Sequence, residues 1–234
     1  PSLDELLRRR VEFLTGYQNA AYAAQYAEFV QRVREAEQRV LAAGSGAAPA
    51  QLRLAEAVAR YLFKLMAYKD EYEVARLYAD GGFAARVASQ FEGDYRLRVH
   101  LAPPLWSAKD PATGEPRKRT YGPWMLTAMA VLAKFRRLRG TAFDPFGRSA
   151  ERREERRLIA EYESTLAEVL ERLGPATIDA AVALASLPEH IRGFGPVKAR
   201  HLAQVSERRE ALLGQLRDSA ASTRKPAIPI REAA

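Results

Sequence analysis

Anion contact is the chemistry best supported by the residue types of this sequence, and two segments carry it. In the first, His100 alternates onto the polar side of a strand-like stretch with Arg96 and Arg98. Lys118 and Arg119 then close a basic loop, KDPATGEPRKR (109–119). The loop has the cations for phosphate contact but lacks the interleaved aromatics of single-strand nucleic-acid binders. A solvated hairpin tip or a protein-contact surface is its simpler reading, and an ordinary structural histidine is the simpler reading of His100. His190 and His201 show no metal-ligand spacing. No nucleophile elbow, Walker loop or dinucleotide fingerprint occurs, so no catalytic residue is assigned.

The second segment is Ile191-Arg192-Gly193-Phe194-Gly195-Pro196-Val197-Lys198-Ala199. Gly193 and Gly195 allow a tight turn whose amides point outward at a helix start. There the helix dipole, Lys198 and Arg200 would favour phosphate. The pattern resembles the helix-hairpin-helix turn that grips a nucleic-acid backbone without reading its sequence. A helix–helix turn needing glycine only for close backbone approach explains the same residues more simply.

Composition narrows the field further. Apolar residues make up 47% of 234, enough for a proper core in one large domain or two small ones. The absence of cysteine excludes disulfides, thiolate zinc and any iron–sulfur cluster held by this chain alone. A net charge of +8, from 37 basic and 29 acidic residues, suits an anionic partner. Many of the arginines nevertheless sit in mixed-sign helical runs that read as solvated faces. No apolar run reaches the roughly 18 residues of a membrane span, and no signal-peptide core opens the chain. A cytoplasmic setting and no membrane contact are expected. The chain lacks an initiator methionine and opens on a helix start, as would a piece of something longer.

The elements that must position these residues are mostly helices. Apolar residues at helical spacing predict one helix over 2–43, capped by Ser2 with Glu5, and a second over 50–79 beyond GSGAAP (44–49). The two form a long antiparallel hairpin. Tyr17, Tyr22 and Tyr26 read as core residues whose hydroxyls reach an edge. Lys69, Asp70, Glu71, Glu73 and Arg76 are open to two readings. They are ion pairs on a wet face, each contributing about 0.2–0.5 kcal/mol, or a partly buried network fixing how the helix meets residues 91–147.

A mixed segment, 80–147, follows Asp80-Gly81-Gly82. It holds a short helix 83–90 and a β-hairpin near 94–121, with a strand ending at Leu101, turn residues at 110–116 and a return at 117–121. A helix over 123–138 opens on Pro123, with Trp124, Met125, Ala128, Leu132 and Phe135 on its apolar side and Gly140 as cap. C-terminal helices fill 149–217, with Ser149 and Thr177 as caps, and 218–234 reads as a flexible tail. The fold class expected is mainly α, a bundle with one small β-hairpin, in a single domain over 1–217.

Six blocks together carry a family resemblance: LFKLMAYKDEYEVARLY (62–78), FEGDYRLRVHLAPPLW (91–106), DPATGEPRKRTYGPWM (110–125), LRGTAFDPFG (138–147), ERREERRLIAEYE (151–163) and IRGFGPVK (191–198). In this order and spacing they resemble the C-terminal domain, itself of unassigned function, of the fused indolepyruvate ferredoxin oxidoreductase family. The resemblance runs from Leu3 to about Arg217. It implies a parent that decarboxylates 2-oxo acids oxidatively to acyl-CoA, with thiamine diphosphate and iron–sulfur clusters in upstream domains and ferredoxin as acceptor. None of that machinery is written here. Gly93-Asp94-Tyr95 departs from the thiamine diphosphate element Gly-Asp-Gly…Asn, and Asn19 is the chain's one asparagine. Pro196 stands where the family's Gly-Phe-Gly-His pattern has histidine.

The resemblance thus implies a non-catalytic accessory domain that packs on the upstream catalytic domains or across a homo-oligomer interface, with 91–147 as the contact surface. Under it, the anion candidates Arg96, Arg98, His100, Lys118, Arg119, Gly193, Gly195 and Lys198 would meet the phosphates of CoA. A free-standing nucleic-acid-binding protein using the turn at 191–199 is the alternative.

Overall fold

A computed structural model describes residues 2–44, 51–79, 82–93, 96–102, 117–193 and 195–224. The turns expected at 45–49, at Asp80-Gly81 and at 110–116, the strand position Tyr95, Phe194 and residues 225–234 lie outside that set. Among the described residues the chain is mainly helical, as expected, with nine α-helices and one two-stranded antiparallel sheet. In chain order the first elements are α1 (Leu3–Tyr17), α2 (Ala20–Gly44), α3 (Arg53–Met66), α4 (Glu71–Ala79) and α5 (Gly82–Gln90). Strands β1 (Val99–Leu101) and β2 (Arg119–Tyr121) follow, then α6 (Trp124–Lys134), α7 (Ala150–Glu171), α8 (Ile178–Ser186) and α9 (Gly195–Arg224). These residues group into two units, Pro1–Glu12 with Ala21–Met66 and Arg157–Ala234, and Phe13–Ala20 with Ala67–Arg156.

The first unit is built around α3. Its buried residues Leu54, Val58, Leu62, Leu65 and Met66 recur at helical spacing and form one broad apolar face. Complete burial of side chains such as Leu54 and Leu62 stabilises by about 1.5–3 kcal/mol each. That face packs on α8, and α8 on α9. Tyr26 is a core residue as expected, but its hydroxyl is buried on a carbonyl rather than reaching an edge, and Tyr22 is half-buried. Tyr22 Oη donates to the Met66 carbonyl at 3.0 Å, Tyr26 Oη to Ala59 at 2.8 Å and Tyr162 Oη to Ala185 at 2.8 Å. Lys64 Nζ donates to the Pro188, Glu189 and Ile191 carbonyls at 2.6, 3.2 and 3.1 Å, satisfying the end of the short 3-10 turn Leu187–His190.

Glu37 of α2 caps α3 from the side. Its buried carboxylate accepts the Leu54 and Ala55 amides, both at 2.8 Å. Burial raises the carboxyl above its usual 4.5, against the pull of those two amides and of Arg53, with Glu56 adding to the rise. An acid whose pKa is raised on folding holds its proton more tightly in the folded state. The stability it confers is therefore full below the unfolded value and lost as pH rises through the folded one. Relative to a Glu37→Gln variant, the wild type is expected to lose stability between about pH 4 and pH 7. Urea unfolding at both pH values checks this, and a difference that holds constant or moves the other way contradicts it.

In the second unit α4 packs on α6. Ala75, Val99, Met125, Met129 and Ala133 make its apolar centre, with Val74, Leu101 and Leu132 against it. The sheet pairs Val99 with Tyr121, His100 with Thr120 and Leu101 with Arg119. Arg96, Leu97 and Arg98 lie before this strand rather than in it.

Several boundaries differ from expectation. The helix predicted over 2–43 breaks at Gln18-Asn19, and the one over 50–79 breaks at 67–70, where Asp70 starts α4 afresh. The Glu73 amide donates to Asp70 Oδ1 at 2.8 Å, a side-chain cap that makes the restart favourable. Ser149 caps α7 through the Arg152 amide at 3.2 Å, as expected. Thr177 instead closes the turn before α8, accepting the Gly174 amide and donating to the Arg172 carbonyl, both at 2.8 Å. Residues 218–224, expected as tail, continue α9. In α6 the buried face is Met125, Met129 and Ala133, while Trp124, Ala128 and Phe135, expected on the inner side, are exposed.

Candidate functional site

Where two helices end in the second unit, one buried ion pair ties them together. Tyr17 ends α1, where carbonyls run out of the helical ladder, while Asp70 precedes α4 and offers a carboxylate to its first turn. Arg139 meets both. Its Nε donates to Asp70 Oδ2 at 2.5 Å, Nη2 to Asp70 Oδ1 at 2.8 Å and Nη1 to the Tyr17 carbonyl at 2.5 Å. The guanidinium also lies 3.6 Å over the Tyr17 ring. Anion at a helix start and cation at a helix end both agree with the helix dipole. Side-chain exposure is 2% for Arg139 and 3% for Asp70, so this is an interior pair rather than a surface one. Burial opposes the Arg139 charge, but the hydrogen bonds and charge of Asp70 outweigh it and push the pKa up. Around it Glu71 pairs with Arg152 at 3.2 Å and Glu73 with Arg76 at 2.8 Å. Asp70, Glu71, Glu73 and Arg76 therefore belong to a partly buried network and not only to ion pairs on a wet face, while Lys69 stays exposed outside it.

A second buried carboxylate shapes the loop that follows. Gly140 takes φ +74° and starts a reversal. Asp144 holds it closed, with Oδ2 accepting the Gly140 amide at 2.8 Å and Oδ1 accepting Phe146 N–H at 3.1 Å and Tyr72 Oη at 3.2 Å. Burial, then the neighbouring Asp144 charge, pushes the Tyr72 phenol well up, so it serves as a hydrogen-bond donor and not as an acid near neutral pH. The Phe146 ring packs edge-on against Tyr72 at 5.4 Å.

Beside this cluster the second unit has a pocket of about 430 Å³. Its walls are Val74 and Ala75 of α4, Met125, Met129 and Leu132 of α6, and Phe146. Lys69, Asp70, Glu71 and Arg152 add one group of charges. Apolar walls with a few converging polar groups are the usual form of a small-molecule site.

The residues singled out from sequence sit elsewhere. Arg96, Arg98, His100, Lys118 and Arg119 are all exposed on or beside the β-ribbon, where His100 Nδ1 and Thr120 Oγ1 form a cross-strand contact of 3.1 Å. None of them lines that pocket. Gly193, Gly195 and Lys198 belong to the first unit, with φ of +83° and +54° at the two glycines. A Cβ at Gly193 would stand 2.8 Å from Val197 Cγ1, so packing at the start of α9 already demands glycine there. Among the described residues no three His, Asp or Glu side chains gather as a metal site. Without cysteine the chain cannot supply thiolates to an iron–sulfur cluster, and its residues do not fit a thiamine diphosphate element.

The chain belongs to a family of unknown function, DUF6537, which matches residues 3–211. No curated protein and no solved structure matches it. Among the described residues no helix is long and apolar enough to cross a membrane.

Proposed function

We propose that this chain is an accessory, non-catalytic interaction domain of a larger 2-oxoacid:ferredoxin oxidoreductase of the indolepyruvate type, working in the cytoplasm. The parent oxidatively decarboxylates an aryl 2-oxo acid to its acyl-CoA. Thiamine diphosphate and the iron–sulfur clusters are held by other domains of that polypeptide, and ferredoxin takes the electrons. The second unit packs against those catalytic domains.

The observation that supports this reading is the surface of α6. Trp124 and Val131 lie one heptad apart, and Phe135 follows four residues later in the 3-10 turn that continues the helix. All three are at least half exposed, opposite the buried Met129 and Ala133. Phe91 (57% exposed) and Phe143 (82%) add to the same unit's apolar surface. Of the large apolar side chains exposed among the described residues, all but Val197 belong to this unit. Concentrated exposed apolar surface marks interaction sites. Asp144 holds the loop that carries Phe143, through the Gly140 and Phe146 amides.

In the full-length parent, the combined substitutions Trp124→Glu, Phe135→Glu and Phe143→Glu are expected to lower 2-oxo acid oxidation by about tenfold or more through lost assembly, since buried aromatic anchors dominate such contacts. Steady-state assay with size-exclusion chromatography checks this. Full activity with unchanged assembly would sink the proposal.

A further inference from the structure

We propose that the pocket of the second unit binds a small monoanion with an apolar body, of the medium-chain carboxylate kind. At about 430 Å³ it lies within the range of roughly 300–1,000 Å³ typical of small-ligand sites. Met125 and Met129 give it walls that adapt to the shape of a flexible chain. The charges at the pocket choose the head group. Both Asp70 oxygens are engaged, by Arg139 and by the Glu73 amide. The Glu71 carboxylate accepts Arg152 Nε at 3.3 Å and Nη2 at 3.2 Å. These pairs cancel. What remains is Lys69, exposed and with no hydrogen-bond or ion-pair partner among the described residues, and the Nη1 edge of Arg152, which donates to none of them. An unmet cation beside apolar walls suits a single negative charge carried on an apolar body. A cationic head would face Lys69, and a more highly charged anion would face the Asp70 and Glu71 carboxylates.

The inference concerns a cavity and not the exposed face of α6, so its failure leaves the interaction reading intact. Calorimetric titration of the intact chain with decanoate is expected to show saturable one-to-one binding, with decanol weaker by about tenfold or more because it cannot form charge-assisted contacts. Lys69→Glu is expected to weaken decanoate by about tenfold or more while leaving decanol unchanged. Ala128→Phe narrows the pocket from an exposed position. It is expected to weaken both probes while the circular dichroism and thermal midpoint stay those of the wild type. Absence of saturable decanoate binding overturns the proposal. So does decanol binding as tightly as decanoate, or decanoate binding unchanged in Lys69→Glu or in Ala128→Phe.

Discussion

Asp70→Asn is expected to destabilise the second unit by about 3–5 kcal/mol, because it leaves the Arg139 guanidinium buried without a counter-charge. Asparagine still caps helices well, so the loss measures the ion pair and not the start of α4. Arg139→Met is expected to do similar damage from the other side, stranding the Asp70 carboxylate and the Tyr17 carbonyl. The double variant Asp70→Leu with Arg139→Met is expected to recover much of the loss. A buried pair is worth little more than apolar groups of the same volume, whereas half a pair is expensive. Trp124, whose ring packs edge-on against Tyr121 at 5.9 Å, lies in the second unit, so its fluorescence reports that unit's unfolding in denaturant. A loss below about 1 kcal/mol in both single variants would mean that the pair is open to water.

The second large effect belongs to the loop 140–147. Asp144→Ala removes the acceptor of two backbone amides and of the Tyr72 hydroxyl, and is expected to destabilise by about 2–4 kcal/mol. Gly147→Ala attacks the same carboxylate by another route. Its Cβ would lie 2.5 Å from Asp144 Oδ2 and 2.9 Å from Cγ. Because three donors hold that carboxylate, it cannot yield without giving up a hydrogen bond, and a loss of about 1–3 kcal/mol is expected. In an Asp144→Ala background the obstruction is gone, and Gly147→Ala is expected to become nearly neutral. Thermal unfolding of the two single variants and the double one completes the cycle. Full additivity would show that Gly147 is needed for some reason other than Asp144.

What could be read from sequence follows from how local each determinant is. The helical class, the β-ribbon and the Ser149 cap rest on periodicity, on turn residues and on contacts within three residues, and these were legible. The break before α4 was also written locally, as Asp70 followed three residues later by Glu73, but the continuous apolar pattern of residues 54–77 masked it. Arg139 gave no signal, since it meets Asp70 across 69 positions and Tyr17 across 122. Periodicity misplaces part of the inner face of α6 because that helix is apolar almost all round. Periodicity could not say which face the chain covers and which it leaves open. The charged residues read as anion contacts stand out by type alone. Exposed on or beside the ribbon, they do not line the pocket, which lies among apolar side chains that no motif marks.

Hydroxyl-radical footprinting of side chains, on this chain alone and within the full-length parent polypeptide, tests the interaction reading most directly. Trp124, Phe135 and Phe143 are exposed here and are expected to oxidise readily in the isolated chain. In the assembled parent they are expected to be protected by about tenfold, as side chains at the centre of an interface are. Val197, exposed in the other unit, should react equally in both. Equal oxidation of the three aromatics in the two samples would contradict the account.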